Sequence, residues 1–394
     1  MKKLKTRRSF AHVSKALLLS NNLNLLLPLV PIAIAAHFFH LTDKAIFVLA
    51  AFAILPLAGL LGTVTEQIAL QTNETIGGLL NATFGNATEL ILSLFALSKG
   101  LISVVQVSLL GSILSNTLLV LGCACLAGGL RKKQLYFNAV SAQANTALLL
   151  IAALGLIVPT TMELLSVNDT PHVDLLLSRG ISIALLILYC LYLYFQLFTH
   201  TFLFEDSMDS SPEEKEEDDD HYPRQMEDGY KVDENVSDDI MMDLHGALIW
   251  LAALTILIAT LSEELTGAIE GAVESLGMPQ AFIGFVVIPI VGNAAEHATA
   301  IIMGAKGKMD LALGVALGSS TQIALFVVPF MVLFGWVVDR PMTLFFGLYE
   351  TVITFISVLI VGYVVSDGQT NWLEGAMLLF TYGMICFSFL FLTN

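Results

Sequence analysis

Long apolar stretches recur along the chain from Leu23 to the C-terminus, many of them about 20 residues long, enough to cross the hydrocarbon core of a bilayer. Barrel strands would read as shorter, alternating segments. Eleven predicted spans can be drawn, at residues 23–40, 45–69, 76–98, 102–127, 137–158, 178–203, 245–270, 280–304, 309–334, 342–365 and 371–392. The first is an extra, leading helix, and the other ten divide into two sets of five around a polar stretch after the sixth. The pattern predicts an all-α polytopic membrane protein with 11 transmembrane helices.

Orientation follows from Lys and Arg in the short connections. The N-terminus carries Lys2, Lys3, Lys5, Arg7, Arg8 and Lys15 and is expected in the cytosol. Counting spans places Arg131-Lys132-Lys133 and the pair Lys306 and Lys308 on the same side. The apolar run near Leu23 continues to Phe39 without a small-residue cleavage site, so it is expected to be retained rather than removed as a signal peptide. Five spans per half is an odd number, so the second half is expected upside down relative to the first.

Composition agrees with the pattern. Of 394 residues, 56% are hydrophobic and 13% charged, with a mean hydropathy of +0.78. The net charge of −16 is concentrated between Glu205 and Asp243. It carries no sign of nucleic-acid binding, for which a basic patch is expected. The acidic run Glu213, Glu214, Glu216, Glu217, Asp218, Asp219 and Asp220 reads as a solvated cytosolic loop, or as a short helix that gathers or senses cations. It lacks the ligand spacing of an EF-hand. Cys123, Cys125, Cys190 and Cys386 lie in apolar segments and read as small hydrophobes.

One phrase occurs twice inside the apolar regions. Gly85-Asn86-Ala87-Thr88-Glu89 matches Gly292-Asn293-Ala294-Ala295-Glu296, and Leu110-Gly111-Ser112 matches Leu317-Gly318-Ser319. Residue 292 minus residue 85, and residue 318 minus residue 111, are both 207. Ionisable residues at membrane depth are costly and mark ion paths. Two copies point to a transporter whose duplicated halves meet at a central site.

On a continuous helix, Gly85, Asn86 and Glu89 share one face, as do Gly292, Asn293 and Glu296. Carboxylate, amide and backbone oxygens suit a hard cation such as Ca²⁺, so Glu89 and Glu296 are the candidate metal-ligating pair. With both ionised, the pair matches one divalent cation. Without the ion, the low dielectric and mutual repulsion favour protons in its place. A site that holds Ca²⁺ or protons, but not both, is what an antiporter requires.

Ser112, Ser115 and Asn116 match Ser319, Gln322 and Ile323 by the same offset. They either complete the ion shell or hold helices together by hydrogen bonds. His297 is expected to tune Glu296 or to serve as a satisfied polar group. Glu66 and Glu263 are read as carboxylates lining the approach to the site.

The stretches Glu74 to Glu89, Pro289 to His297 and Leu313 to Ile323 resemble the calcium/proton exchanger family of the calcium/cation antiporter superfamily, and the resemblance covers about residues 23–392. It implies ten core helices in two inverted five-helix repeats plus the leading helix. The implied layout is a basic cytosolic N-terminus and first helix at 1–44, a first sodium/calcium exchanger-type repeat at 45–204, an acidic cytosolic loop or helix at 205–244, and a second such repeat at 245–394. It also implies that Glu89 and Glu296 carry calcium and protons, with Asn86 and Asn293 beside them. Sodium-coupled relatives have Ser/Thr-rich phrases where this chain has Gly-Asn-Ala, so protons are the implied coupling ion.

The expected function is secondary active antiport of cytosolic Ca²⁺, or of other divalent cations, into an acidic compartment, without a cofactor and without enzymatic chemistry. The expected location is a vacuolar or other acidic-organelle membrane, or the plasma membrane in a prokaryote. The alternatives are a sodium- or potassium-coupled calcium exchanger and, further off, a channel or an intramembrane enzyme. The expected partners are membrane lipid, Ca²⁺ and protons, and the pattern leaves room for a homo-oligomer.

Overall fold

The computed structural model describes residues 10–19, 21–72, 74–165, 171–203 and 242–392. The acidic run from Glu213 to Asp220 lies outside them. Among the described residues, seven helices are long and apolar enough to cross a membrane: Asp43–Ala69, Ile102–Gly129, Ala139–Leu164, Val173–Thr199, Leu244–Gly267, Met309–Val337 and Trp372–Phe389. An eighth candidate is a pair of helices, Ile269–Leu276 and Gln280–Gly292, bent by 117°.

The remaining predicted spans are shorter or interrupted. The leading helix is reduced to Leu29–Phe38, after a 3-10 turn at Asn22–Leu26. The tenth span is the 17-residue helix Leu348–Val364. The third is two helices, Glu74–Phe84 and Ala87–Ser98, and the eighth restarts as Ala294–Ala305 after Gly292. The single continuous helices expected there are therefore corrected to broken ones. The 3.6-residue apolar period persists through both interruptions and hides them.

Contacts between connections fall into two groups. On one side, Leu135 and Tyr136 pair antiparallel with Thr370 and Gln369, Asn138 donates to the Leu203 carbonyl, Gln71 to that of Met242, and Arg131 to that of Ala305. On the other, Lys99 donates to the Glu263 carbonyl, Gln106 to those of Thr343 and Phe345, and the Leu344 N–H to Ser178. Connections after even-numbered spans meet one another, as do those after odd-numbered spans, as the predicted crossing pattern requires.

Packing of the described residues produces two apolar cores, each drawing on both halves of the chain. One joins Asp43–Ala69 to Leu244–Gly267 and Ile269–Leu276. The other joins Ile102–Gly129, Ala139–Leu164, Met309–Val337, Leu348–Val364 and Trp372–Phe389. The half-helices divide between the two. Ala87 and Leu92 belong to the first core and Ala96 and Leu97 to the second, while Val291 and Ala300 split the same way. The broken spans are thus the wall between two bundles.

Small residues set the spacing within the second bundle, as expected where lipid removes most of the hydrophobic drive between helices. A Cβ on Gly375 would stand 2.5 Å from the Leu126 nitrogen and 2.8 Å from the Gly122 carbonyl, whereas one on Gly383 of the same helix would meet nothing within 4 Å. Gly375→Ala should therefore lower the melting temperature of the purified protein, by an amount equivalent to about 1–3 kcal/mol of overpacking. Gly383→Ala should leave it level or raise it slightly through helix propensity. Equal melting temperatures for the two variants would contradict this packing.

Candidate ion site

Both half-helices begin in the same way. Asn86 (φ −108°, ψ 24°) and Asn293 (φ −91°, ψ 12°) stand at the N-caps of Ala87–Ser98 and Ala294–Ala305, and neither side chain caps its own helix. The two amides are left free to reach across the site. Glu89 and Glu296 fall in the first helical turns, where free N–H groups and the positive end of the helix dipole favour negative charge. The break therefore does more than the shared helical face expected from sequence. It turns two helix N-termini toward the middle of the protein.

The two phrases meet. A Cβ on Gly292 would lie 2.6 Å from Glu89 Oε1, so the carboxylate of one half rests against the backbone of the other. With its nitrogen turned toward the carboxylates, the Asn293 amide donates to Glu296 Oε2 at 3.0 Å and also to Glu89 Oε1. One amide thus bridges the carboxylates of the two repeats. Glu89 is 5% exposed and Asn293 fully buried.

Asn86 works from the opposite side. Its Nδ2 donates to Gln322 Oε1 at 2.6 Å, and its Oδ1 is 2.7 Å from Ser319 Oγ. Ser319 Oγ is also 3.0 Å from Glu296 Oε1 and accepts from Asn116 Nδ2 at 3.1 Å. A hydroxyl has one proton, so Ser319 donates to Asn86 or to Glu296, one at a time. Asn116 Oδ1 is buried without a hydrogen-bond partner. Oxygens from carboxylate, amide and hydroxyl groups thus converge, the chemistry a hard divalent cation takes. Among the described residues, no group of three or more His, Cys, Asp or Glu side chains is placed to hold a metal.

A cavity of about 550 Å³ reaches this cluster from one side. Glu66, Asn138, Leu203 and Asp310 line it near its mouth, and Glu296, Ser319 and Gln322 line its inner end. It opens toward the connections that carry Arg131 and Lys306. Glu89 does not line it, so one carboxylate faces the cavity and the other sits behind.

Of the other predicted positions, Glu66 lines the cavity as expected. Glu263 does not: it is exposed at the opposite end, where its carbonyl accepts from Lys99. It follows Ser262 as Glu66 follows Thr65, but the inverted repeat sends it to the other face. His297 meets Ser115 at 3.4 Å. Ser112 is buried. The structure adds Asn145 and Tyr192 to the cavity wall, joined by a hydrogen bond from Tyr192 Oη to Asn145 Oδ1 at 3.0 Å. Their signal in the sequence is a polar side chain inside a long apolar span, which marks many packing contacts as well.

The profile of the sodium/calcium exchanger protein family matches residues 43–198 and 246–391. The chain belongs to this family. The exchanger is 45% identical over 98% of its length to vacuolar cation/proton exchanger 2 of Oryza sativa subsp. japonica, covering 85% of that protein. It is 43% identical over 93% of its length to the Ca²⁺/H⁺ antiporter of Aphanothece halophytica, covering 95% of that protein. The solved structure of the Ca²⁺/H⁺ antiporter protein YfkE superposes with a TM-score of 0.75 at 35% identity, over 93% of this exchanger and 98% of that chain. The shared fold is that of a multi-pass membrane transporter.

The bridging amide generates a test. Asn293→Ala leaves the two carboxylates side by side without a donor between them. At pH 8, where the pair holds fewest protons, the variant should lose stability by about 1–3 kcal/mol, the cost of unpaired buried acceptors. Repulsion between the carboxylates vanishes once one of them is protonated, so the loss should shrink as the pH is lowered. Thermal unfolding of the pure protein across pH 5 to 8 checks this, and a loss independent of pH would contradict the bridge.

Proposed function

We propose that this exchanger moves cytosolic Ca²⁺ out of the cytosol in exchange for protons by alternating access, with Glu89 and Glu296 as the groups that carry both ions in turn. One observation carries the reading. Two carboxylates from separate repeats are brought to a single buried amide at the inner end of a cavity, and no Lys or Arg among the described residues bonds to either. Two negative charges at that depth need a counter-charge. One Ca²⁺ supplies it, and so do two protons. The relatives named as cation/proton exchangers and Ca²⁺/H⁺ antiporters support the same choice of ions.

The cycle follows from the site. With the cavity open to the cytosol, Ca²⁺ reaches Glu296 and displaces protons from the pair. Asn86, Ser319 and Gln322 supply neutral oxygens, and Asn293 gives up its bridge as the ion takes its place. When the site faces the other compartment, high proton activity there displaces the ion. The pair alone exchanges two protons for each Ca²⁺. A third would need another group near the path, and Glu66 and His297 are the candidates left, since Glu263 faces the opposite end. The proposed orientation places the N-terminus and the acidic run of residues 213–220 in the cytosol, and the proposed location is a vacuolar or other acidic-organelle membrane.

Glu89→Gln and Glu296→Gln keep shape and lose charge. Each should reduce pH-driven calcium uptake in proteoliposomes to background while the protein remains folded and inserted. Transport near wild type by either folded variant would remove that residue from the site. Proton competition has its own signature. Calcium binding to the purified protein should weaken steadily as pH falls from about 8 to about 5, because protons and Ca²⁺ occupy the same oxygens. Binding unchanged over that range would contradict the shared site even if uptake were observed.

A further inference from the structure

The two half-helices that bear the carboxylates also end alike. Ala87–Ser98 is followed by Lys99 and Gly100, and Ala294–Ala305 by Lys306 and Gly307. Residue 306 minus residue 99 is again 207. Both glycines are left-handed, at φ +84° and +77°. The closing hydrogen bonds correspond one to one. Leu101 N donates to the Ala96 carbonyl and Gly100 N to that of Leu97. Lys308 N donates to the Met303 carbonyl and Gly307 N to that of Gly304, all four at 2.9 Å. These are matched Schellman caps, and each needs its glycine. A cation from the end of a neighbouring span covers each one. Arg340 Nη1 lies 3.7 Å from where a Cβ of Gly100 would be, and Lys132 Nζ 2.9 Å from that of Gly307.

The lysines break the match. Lys99 Nζ donates at 2.6 Å to the carbonyl of Glu263, in the last turn of Leu244–Gly267, and stands 2.7 Å from where a Cβ of Gly267 would be. An ammonium at the negative end of a helix dipole is favourably placed. This contact ties a half-helix of the first repeat to a helix of the second, at the end of the protein away from the cavity. Lys306 makes no corresponding bond among the described residues. Its counterpart target is the end of Asp43–Ala69. The pairs Thr65-Glu66 and Ser262-Glu263 are 197 residues apart, and the ten residues by which 207 exceeds 197 are taken up around the extra helix Ile269–Leu276. That target is therefore the Glu66 carbonyl, at the mouth of the cavity. Among the described residues, the lysine at the end away from the cavity is engaged and the lysine at the cavity end is not.

We propose that Lys99 and Lys306 are alternating latches, positioning residues that set which side of the membrane the site faces. Lys99 on the Glu263 carbonyl holds the cytosol-open state. Lys306 on the Glu66 carbonyl holds the opposite state, and each conformational change breaks one bond as it makes the other. The proposal rests on the alternating-access reading but concerns the gates rather than the ion site.

Cysteine accessibility tests it without measuring transport, so a failure of the latch would leave the antiport reading intact. Gly62 lines the open cavity, with nothing within 4 Å of where its Cβ would be, and Ala259 is its counterpart by the 197-residue offset. Gly62→Cys and Ala259→Cys chains are reconstituted in liposomes and reacted with a membrane-impermeant maleimide, subtracting the signal of the chain without the added cysteine. Loss of one charge-assisted hydrogen bond should shift the ratio of the two states about tenfold. Lys99→Gln should therefore speed labelling of Ala259→Cys up to about tenfold and slow that of Gly62→Cys, and Lys99→Arg should stay near wild type. Lys306→Gln should do the reverse. Lys99→Gln rates within about twofold of wild type at both reporters, or both lysine variants moving the reporters the same way, would overturn the proposal. If Lys99→Gln does not fold, Lys306→Gln decides alone, and unchanged labelling of Ala259→Cys in that variant would overturn it too.

Discussion

Two carboxylates held against each other at membrane depth are the constraint on which the rest of this structure depends. Removing two like charges from water is costly, and no Lys or Arg among the described residues bonds to them. It surrounds them instead with groups that lower the cost without cancelling the charge: two helix N-termini, an amide shared between the carboxylates, and a serine hydroxyl. A Lys or Arg in their place would be a permanent counter-ion and would leave no vacancy for an exchangeable one. The deficit is what gives the proposed site its affinity for a mobile cation and, in its absence, for protons.

The helix breaks follow from that constraint. A continuous helix through the third or eighth span would bury its N–H groups in its own ladder and place its termini at the membrane surface. Interrupting it brings first-turn N–H groups to mid-membrane, which is tolerable because the irregular backbone is enclosed by protein and borders a cavity. It also makes each broken span two levers. Ala87 and Leu92 after the first break, and Val291 just before the second, pack in the bundle built on Asp43–Ala69 and Leu244–Gly267, whereas Ala96, Leu97 and Ala300 further along pack in the other bundle. Movement between the bundles is therefore felt at Glu89 and Glu296 directly.

Much of this was legible in the sequence. Apolar runs and basic connections placed the helices and the pairing of loops, and the repeated phrases pointed to Glu89, Glu296, Asn86 and Asn293, which the fold brings together. The misreadings share a physical origin. Apolar periodicity says which side of a helix is buried but not whether the helix is continuous, so the stretches around Asn86 and Asn293 look in sequence like one face of a single helix. Polarity says that Glu66 and Glu263 are exceptional, but only topology says that they lie at opposite ends. Lys306 counts in the sequence only toward orientation, and helix ends and caps are needed to pair it with Lys99. The split of Ser319 between Asn86 and Glu296 depends on distances of a few tenths of an ångström, which no pattern of residue types encodes.

The departures from two-fold symmetry are as informative as the symmetry. The fourth span carries a π-helical turn at Ser115–Val120, and the ninth carries one at the matching place, Ile323–Val327. The ninth has a second, Gly314–Gly318, while the matching residues 107–111 of the fourth are regular α-helix. A π turn holds an extra residue and rotates everything beyond it, and such turns concentrate at functional sites. Here the extra turn lies on the cavity wall, just before Ser319 and Gln322. A Cβ on Gly314 or Gly318 would meet nothing within 4 Å, whereas one on Gly111 would strike the Phe285 carbonyl and the Pro289 ring. The same segment is loosely surrounded in the ninth span, beside the cavity, and tightly packed in the fourth. In a transporter of inverted repeats the two halves exchange conformations as the site changes sides. An unmatched π turn beside unconfined glycines, facing a matched α-helix beside a confined one, is the form such an exchange takes when caught on one side.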